Sequence, residues 1–356
     1  MILLIGPVLP PIHGQSLAFT RFIESIDEDK RILVNTSLEY KSSIGKIFGT
    51  LKTLLNITMK VIFSKYDTVY FTCSRSILGS IKDILLINLV SLKDVSIINH
   101  LHGSDFKEFL DKSPKWYKKI LIKSYKKVNI SIVLLDSMKE QFIDFPKMKV
   151  EIVPNFYDKE LNENLEEKDD NKINIVYFSN IMSSKGIFEL IDAFEILCKE
   201  YSNIYLNIAG EYIADEYMSI ADVKEKFKNK IRHHDRIKYI GKVFGERKVR
   251  LLQKSDIFVL PSYYKSEAFP ISIIEAMACM NAIVTTNYKY LPEVIFSENG
   301  VIVEPKSVNS LVDGIKNLII DKKKLKQIQI YNHQVAKKKY SLEQYIDNLN
   351  KIVMEN

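Results

Sequence analysis

Residues 256–286 restrict the fold of this chain more than any other stretch. Asp256-Ile-Phe-Val-Leu260 is a short run of branched and aromatic residues closed by Pro261, the pattern of a strand buried in a parallel sheet. After a polar turn, residues 271–280 have helical composition, and residues 282–286 read as the next strand. Ligands of open α/β sheets bind at the carboxyl ends of strands, beside helix N-termini. Glu267, in the turn, falls at that place, and Glu275 follows on the helix. A carboxylate at Glu267 can accept hydrogen bonds from ligand hydroxyls. The N–H groups of Phe269, Ile271 and Ser272 suit an anion, while Pro270 has none to give.

Apolar runs at 1–5, 31–34, 68–72, 95–101, 128–134 and 150–153 alternate with helix-like stretches such as 17–25 and 44–63. Residues 156–172 lose apolar character and read as a linker. The scheme then repeats, with runs at 173–178, 204–209, 237–240, 257–260, 282–285 and 301–303. Such alternation builds parallel sheets covered by helices on both faces, and 356 residues suffice for two domains. The expected fold is α/β: two doubly wound Rossmann-like domains, residues 1–160 and 161–336, facing each other across a cleft. Residues 337–356 close the chain, with Leu342, Tyr345, Ile346, Leu349, Ile352 and Val353 at helical spacing.

The segment Glu267-Ala-Phe-Pro-Ile-Ser-Ile-Ile-Glu275-Ala-Met-Ala resembles the glutamate-x7-glutamate signature of family 4 retaining glycosyltransferases, which have the GT-B fold. The resemblance extends over nearly the whole chain. It implies that the second domain holds a nucleotide-sugar donor, with Glu275 on the ribose and Glu267 on sugar hydroxyls. Ala268, Phe269, Pro270 and Ile271 would line the same turn. It also implies that the closing helix returns to the first domain. Ser179-Asn180-Ile-Met-Ser-Ser-Lys185-Gly186 is similar to the family's Gly-Arg-Leu…Lys-Gly motif, so Lys185 would answer the diphosphate as a point charge. Asn180 stands where the family has arginine, so half of the usual cationic clamp is absent. Gly210 and Val243 are further donor-side positions at strand ends, the second near the expected nucleotide base.

In the first domain, Gly6-Pro-Val-Leu-Pro-Pro-Ile-His13-Gly14 runs into a helix and looks like the family's glycine loop. Gly14 would approach the donor, and His13 stands where a second glycine is usual. His100-Leu-His102-Gly103-Ser-Asp105 is similar to the family's His-Gly-x-Asp element, whose histidine faces donor sugar and acceptor. His100 and His102 share a face by the two-residue period of a strand. His102 is the favoured catalytic helper, with His13, His100 and Asp105 on the acceptor side. Asp27-Glu-Asp29 has the form of a metal motif but reads as a polar turn, so no metal and no other cofactor is expected. Cys73, Cys198 and Cys279 are too scattered for a disulfide frame or a zinc site.

Charge is uneven. Residues 1–155 carry 22 Lys and Arg against 15 Asp and Glu, while the remainder carries 29 of each. The surplus invites an anionic partner for the first domain, here a membrane surface and not nucleic acid. Residues 112–128 read as a helix after Pro114, with Trp116, Tyr117, Ile120, Leu121, Ser124, Tyr125 and Val128 on one stripe. Lys115, Lys118, Lys119, Lys123, Lys126 and Lys127 flank it. Such a face suits an anionic bilayer, or it packs on the sheet with its lysines merely solvated. The charge asymmetry, and a second apolar helix at 44–63 with Lys46, Lys52 and Lys60, favour the membrane. The first residues are too quickly broken for a signal peptide, and no apolar run reaches spanning length. A cytoplasmic chain bound peripherally to the inner face of the plasma membrane is expected.

The resemblance implies a metal-independent, retaining hexosyltransferase. It would move a sugar from a nucleotide-diphosphate donor, with UDP-sugar favoured, to a saccharide acceptor. That acceptor would be lipid-linked, and the setting surface-polysaccharide synthesis. Asn180 and His13 leave room for a second reading, an inactive GT-B-like binding partner of an active glycosyltransferase.

Overall fold

The computed structural model describes residues 1–37, 43–165 and 167–355. The chain divides into two compact units, Met1–Asn155 with Glu343–Asn356, and Phe156–Leu342.

The strands of the first unit are β1 (Ile2–Gly6), β2 (Arg31–Asn35), β3 (Thr68–Thr72), β4 (Ser96–His100), β5 (Ile130–Val133) and β6 (Lys149–Ile152). They form one parallel sheet in the order β2-β1-β3-β4-β5-β6. Helices α1 (Gly14–Glu24), α2 (Ser43–Phe63), α3 (Ile77–Val90), α4 (Phe106–Lys112) and α5 (Lys115–Tyr125) connect them. Central strands β1 and β3 are buried at every position, whereas edge strand β6 is not, as a sheet covered on both faces requires. From β1 the chain steps outward to β2 and then crosses back to β3, so the sheet has its switch point between β1 and β3. Crossovers between parallel strands are right-handed, so α2, α3 and α5 cover one face of this sheet and α1 the other.

The second unit repeats the plan with β7 (Ile173–Phe178), β8 (Ile204–Ala209), β9 (Ile237–Gly241), β10 (Ile257–Leu260), β11 (Ala282–Thr286) and β12 (Gly300–Val303). Its parallel order is β12-β11-β10-β7-β8-β9. The covering helices are α6 (Ile187–Glu200), α7 (Ile220–Ile231), α8 (Gly245–Gln253), α9 (Ile271–Ala278), α10 (Leu291–Val294), α11 (Val308–Ile320) and α12 (Lys322–Lys339). All these strands fall on the expected apolar runs, with ends shifted by at most two residues. The switch point lies between β7 and β10, which pair at Ile175↔Ile257 and Val176↔Phe258. The loops that follow these two strands therefore leave the sheet side by side. They are also fastened together: Tyr263 N–H donates to Ser184 O at 2.7 Å. Gly186 has φ +72°, and a Cβ there would lie 2.1 Å from Pro261 O, so glycine alone fits.

The last helix, α13 (Leu342–Val353), groups with the first unit. Tyr345, Leu349 and Val353 are buried, and the Tyr345 hydroxyl donates to Ala18 O on α1 at 3.3 Å.

The structure corrects the membrane reading of α5. Tyr117, Leu121, Ser124, Tyr125 and Val128 are buried, leaving Trp116 and Ile120 as the exposed apolar residues of the stripe. The Tyr117 hydroxyl lies 2.7 Å from Ser80 Oγ, and the Tyr125 hydroxyl donates to Asp83 Oδ2 at 2.9 Å. The stripe is core because α5 packs on α3 over the sheet. Helix α2 differs. Phe48, Leu51, Leu55, Met59, Ile62 and Phe63 recur every three or four residues and are all exposed, while Ile57 and Val61 face inward. The side chain of Lys46 lies outside the described residues. No helix among the described residues is long and apolar enough to cross a membrane.

Candidate functional site

In the second unit the site is built on the two loops at the β7/β10 switch point. Lys185 ends a short 3-10 turn, Ser183–Lys185, directly before Gly186 and α6. Its Nζ donates to Glu267 Oε2 at 2.5 Å and lies 5.0 Å from the centre of the Tyr264 ring. The Ser262 hydroxyl donates to the same Oε2, also at 2.5 Å. Glu267 is nearly out of solvent, and its charge is answered by one lysine and one hydroxyl among the described residues. A buried carboxylate persists only with such partners.

Eight residues further on, Glu275 is buried on α9, and its Oε1 accepts from Lys248 Nζ at 2.6 Å, from the adjoining α8. Burial works against the Lys248 charge, but the Glu275 carboxylate outweighs it and raises the lysine pKa above its ordinary value. Lys248 therefore stays a cation. Asn180 is exposed, with its backbone carbonyl held by the Tyr177 hydroxyl at 2.7 Å. Gly210 N–H donates to Gly241 O at 3.0 Å, and Val243 is buried just beyond β9. Ala268, Phe269 and Ile271 are buried, and Pro270 caps α9 without a side-chain bond. The Phe269 ring meets Tyr340 edge-on at 5.3 Å. The structure thus brings Lys185 and Glu267 into one contact and gives Glu275 a lysine of its own.

The first-unit candidates collect at the carboxyl ends of β1, β3 and β4. His13 caps α1: its Nδ1 accepts from Ser16 N–H at 3.2 Å, while its own N–H donates to Ser16 Oγ at 3.0 Å. Gly14 opens that helix, next to His13 in the first unit. His100 is fully buried, with Nδ1 2.6 Å from the Tyr70 hydroxyl, and is a core residue rather than an acceptor contact. The His102 ring stacks on it at 4.0 Å. His102 Nε2 is buried without a partner among the described residues. Burial, then the positive charge of Arg75, then His13, press the His102 pKa down to about 3. Burial and Arg75 also lower that of His13. Both imidazoles are thus neutral. Asp105 holds the Arg75 guanidinium.

Sequence reasoning passed over Arg75 and the Ser262 contact. Ser262 opens the key stretch, but a serine before a turn carries no signal of its own; Arg75 lies on a loop without a motif. Asp27 pairs with Lys30 on an exposed turn, and the described residues contain no group of three or more His, Cys, Asp or Glu that could hold a metal.

The chain is 30% identical over 151 residues to a phosphatidylinositol N-acetylglucosaminyltransferase subunit of Homo sapiens, covering 42% of this chain and 29% of that protein. It is 42% identical over 76 residues to "N,N'-diacetylbacillosaminyl-diphospho-undecaprenol alpha-1,3-N-acetylgalactosaminyltransferase" of Campylobacter jejuni, covering 21% of this chain and 20% of that one. The chain spans between 20% and 60% of the length of the curated relatives it matches. Anabaena HepE in complex with UDP superposes with a TM-score of 0.76 at 16% identity, over 100% of both chains. The fold is that of the GT-B glycosyltransferases. Residues 158–335, half of the sequence, match the family profile of glycosyl transferases group 1, and the chain belongs to that family.

Proposed function

We propose that this chain is a retaining glycosyltransferase that moves a sugar from a nucleoside-diphosphate donor to a saccharide acceptor. The observation that carries this reading is the pair of lysine contacts to buried glutamates, Lys185–Glu267 and Lys248–Glu275, beside the switch point of the second sheet. Lys185 has further N–H groups to give a diphosphate. Glu267 and Glu275 each keep a second carboxylate oxygen for ligand hydroxyls, Glu267 for the sugar and Glu275 for the ribose. As the sugar leaves, charge builds on the diphosphate, and a fixed cation there lowers the barrier. The departing phosphate oxygen takes the acceptor's proton, and neutral His102 serves as the helper in the first unit. No step calls for a metal. UDP is the favoured nucleotide, in keeping with the UDP-bound fold neighbour.

The acceptor is read as lipid-linked, in surface-polysaccharide assembly. Two relatives carry names that join a sugar transfer to a lipid, phosphatidylinositol in one and diphospho-undecaprenol in the other. The exposed stripe of α2 supports the same setting: six large apolar residues, with Lys52, Lys60 and Lys65 also exposed near them, suit the interface of an anionic membrane. A screen of the purified protein against common nucleotide sugars, with and without sugar acceptors, tests the reaction. Release of nucleoside diphosphate from one donor supports it, and silence with all donors favours the inactive-partner reading.

A further inference from the structure

Arg75 is a charged residue of the first unit that the reaction above leaves idle, and its surroundings are built. It follows β3 on a loop pinned to α3. Ser74 N–H donates to Asp83 Oδ2 at 2.8 Å, and Ser74 Oγ donates to Oδ1 at 3.1 Å. Asp83 is fully buried and also takes the Tyr125 hydroxyl. The guanidinium lies against Gly103, where an added Cβ would stand 1.9 Å from Nη1 and 2.2 Å from Cζ. The glycine of the His-Gly-x-Asp element therefore clears a seat for Arg75. Asp105, two residues on, holds Nη1.

Nη1 to Asp105 is the bond Arg75 makes among the described residues, which leaves Nε and Nη2 as donors. The side chain is 25% exposed, so a ligand can reach it. It stands where the loops after β1, β3 and β4 meet, beside the switch point of the sheet. Besides burial, the positive charge of Arg75 lowers the pKa of both His13 and His102, which places the guanidinium close to both rings. An uncharged sugar has no use for such a group. A planar fork of N–H donors matches two oxygens of a phosphate, which a lysine cannot do.

We propose that Arg75 is the phosphate-reading residue for the acceptor, binding the phosphate next to the sugar of a lipid-linked saccharide. The proposal rests on the lipid-linked acceptor of the preceding section and narrows it to a phosphate-bearing one. The same loops would then hold the sugar at His102 while its phosphate is held at Arg75.

The test is a binding titration on the full chain with N-acetylglucosamine 1-phosphate, N-acetylglucosamine and glucuronic acid as probes, each with and without saturating UDP. The wild-type chain should prefer the sugar phosphate over the plain sugar by about 10-fold or more, as for a charge-assisted bidentate contact. Arg75→Gln should erase that preference. Arg75→Lys, which keeps the charge and loses the fork, should retain part of it and carries the test should the glutamine variant fold poorly. A preference that survives both substitutions, or equal binding of glucuronic acid and the sugar phosphate, overturns the proposal. UDP binding is read in the same titration. Its absence in the wild-type chain counts against the donor site, whereas Arg75-dependent sugar-phosphate binding supports the acceptor proposal with or without UDP.

Discussion

Lys248 Nζ and Glu275 Oε1 are 2.6 Å apart on two adjoining helices, with both side chains almost withdrawn from water. This contact places a second lysine beside a buried glutamate in the second unit, while Asn180 stands where the resemblance leads one to expect an arginine. Lys248→Met leaves Glu275 as an unanswered buried charge. Stability should fall by about 3 kcal/mol, and UDP affinity should drop by roughly 10-fold. Lys248→Arg should restore most of both. Calorimetric titration with UDP and a denaturant melt check the pair; unchanged affinity in Lys248→Met would detach this lysine from the donor site.

Lys185 and Asn180 make a second test. Lys185→Ala should raise the barrier to transfer by about 2–3 kcal/mol, the usual cost of a lost charge-assisted contact. Asn180→Arg, at an exposed position beside the same loop, should tighten free UDP binding. Steady-state kinetics and UDP titration read the two effects. If neither substitution alters diphosphate affinity, the anion is held elsewhere.

The buried histidines give the chain an acid limit. His102 has a folded pKa of about 3 and His100 lies well below the ordinary value, both chiefly through burial. An unfolded histidine titrates near 6.5. Below that pH the unfolded chain binds protons that the folded chain refuses, so stability falls as pH drops and is intact above it. For His102 the loss should reach at most about 2 kcal/mol by pH 5. His102→Gln should therefore show a shallower decline between pH 7 and 5 in denaturant melts. Parallel curves for variant and wild type would show that this imidazole is not shielded from water.

Membrane binding should follow α2 and not α5. Leu55→Asp with Met59→Asp, both on the exposed stripe, should abolish sedimentation with anionic vesicles. The Lys118/Lys119/Lys123/Lys126→Glu variant of α5 should weaken it only slightly, since Lys118 is already paired with Asp111. The reverse pattern would return the interface to α5.

The strands were legible because a parallel sheet buried on both faces leaves continuous apolar runs, and each run of the sequence became a strand. Lys185, Glu267 and Glu275 stood out because they fall in strand-end turns before helices and because their segments resemble the motifs of a known family. The α5 stripe misled because helical spacing tells that a face is apolar, not which neighbour covers it. Tyr117 and Tyr125 spend their hydroxyls inside the core. Lys248 and Arg75 were hidden for another reason: their partners, Glu275 and Asp105, lie 27 and 30 residues away, a pairing that only the folded sheet creates.

Turnover of a nucleotide sugar by Glu267→Gln tests the central claim most directly, because the substitution keeps the shape of a side chain held by Lys185 and Ser262 and removes only its charge. The wild-type chain should release diphosphate from one nucleotide sugar, and Glu267→Gln should do so about 100-fold more slowly or worse, with UDP still bound. Near-normal turnover in Glu267→Gln would contradict the assignment of this carboxylate to the donor sugar.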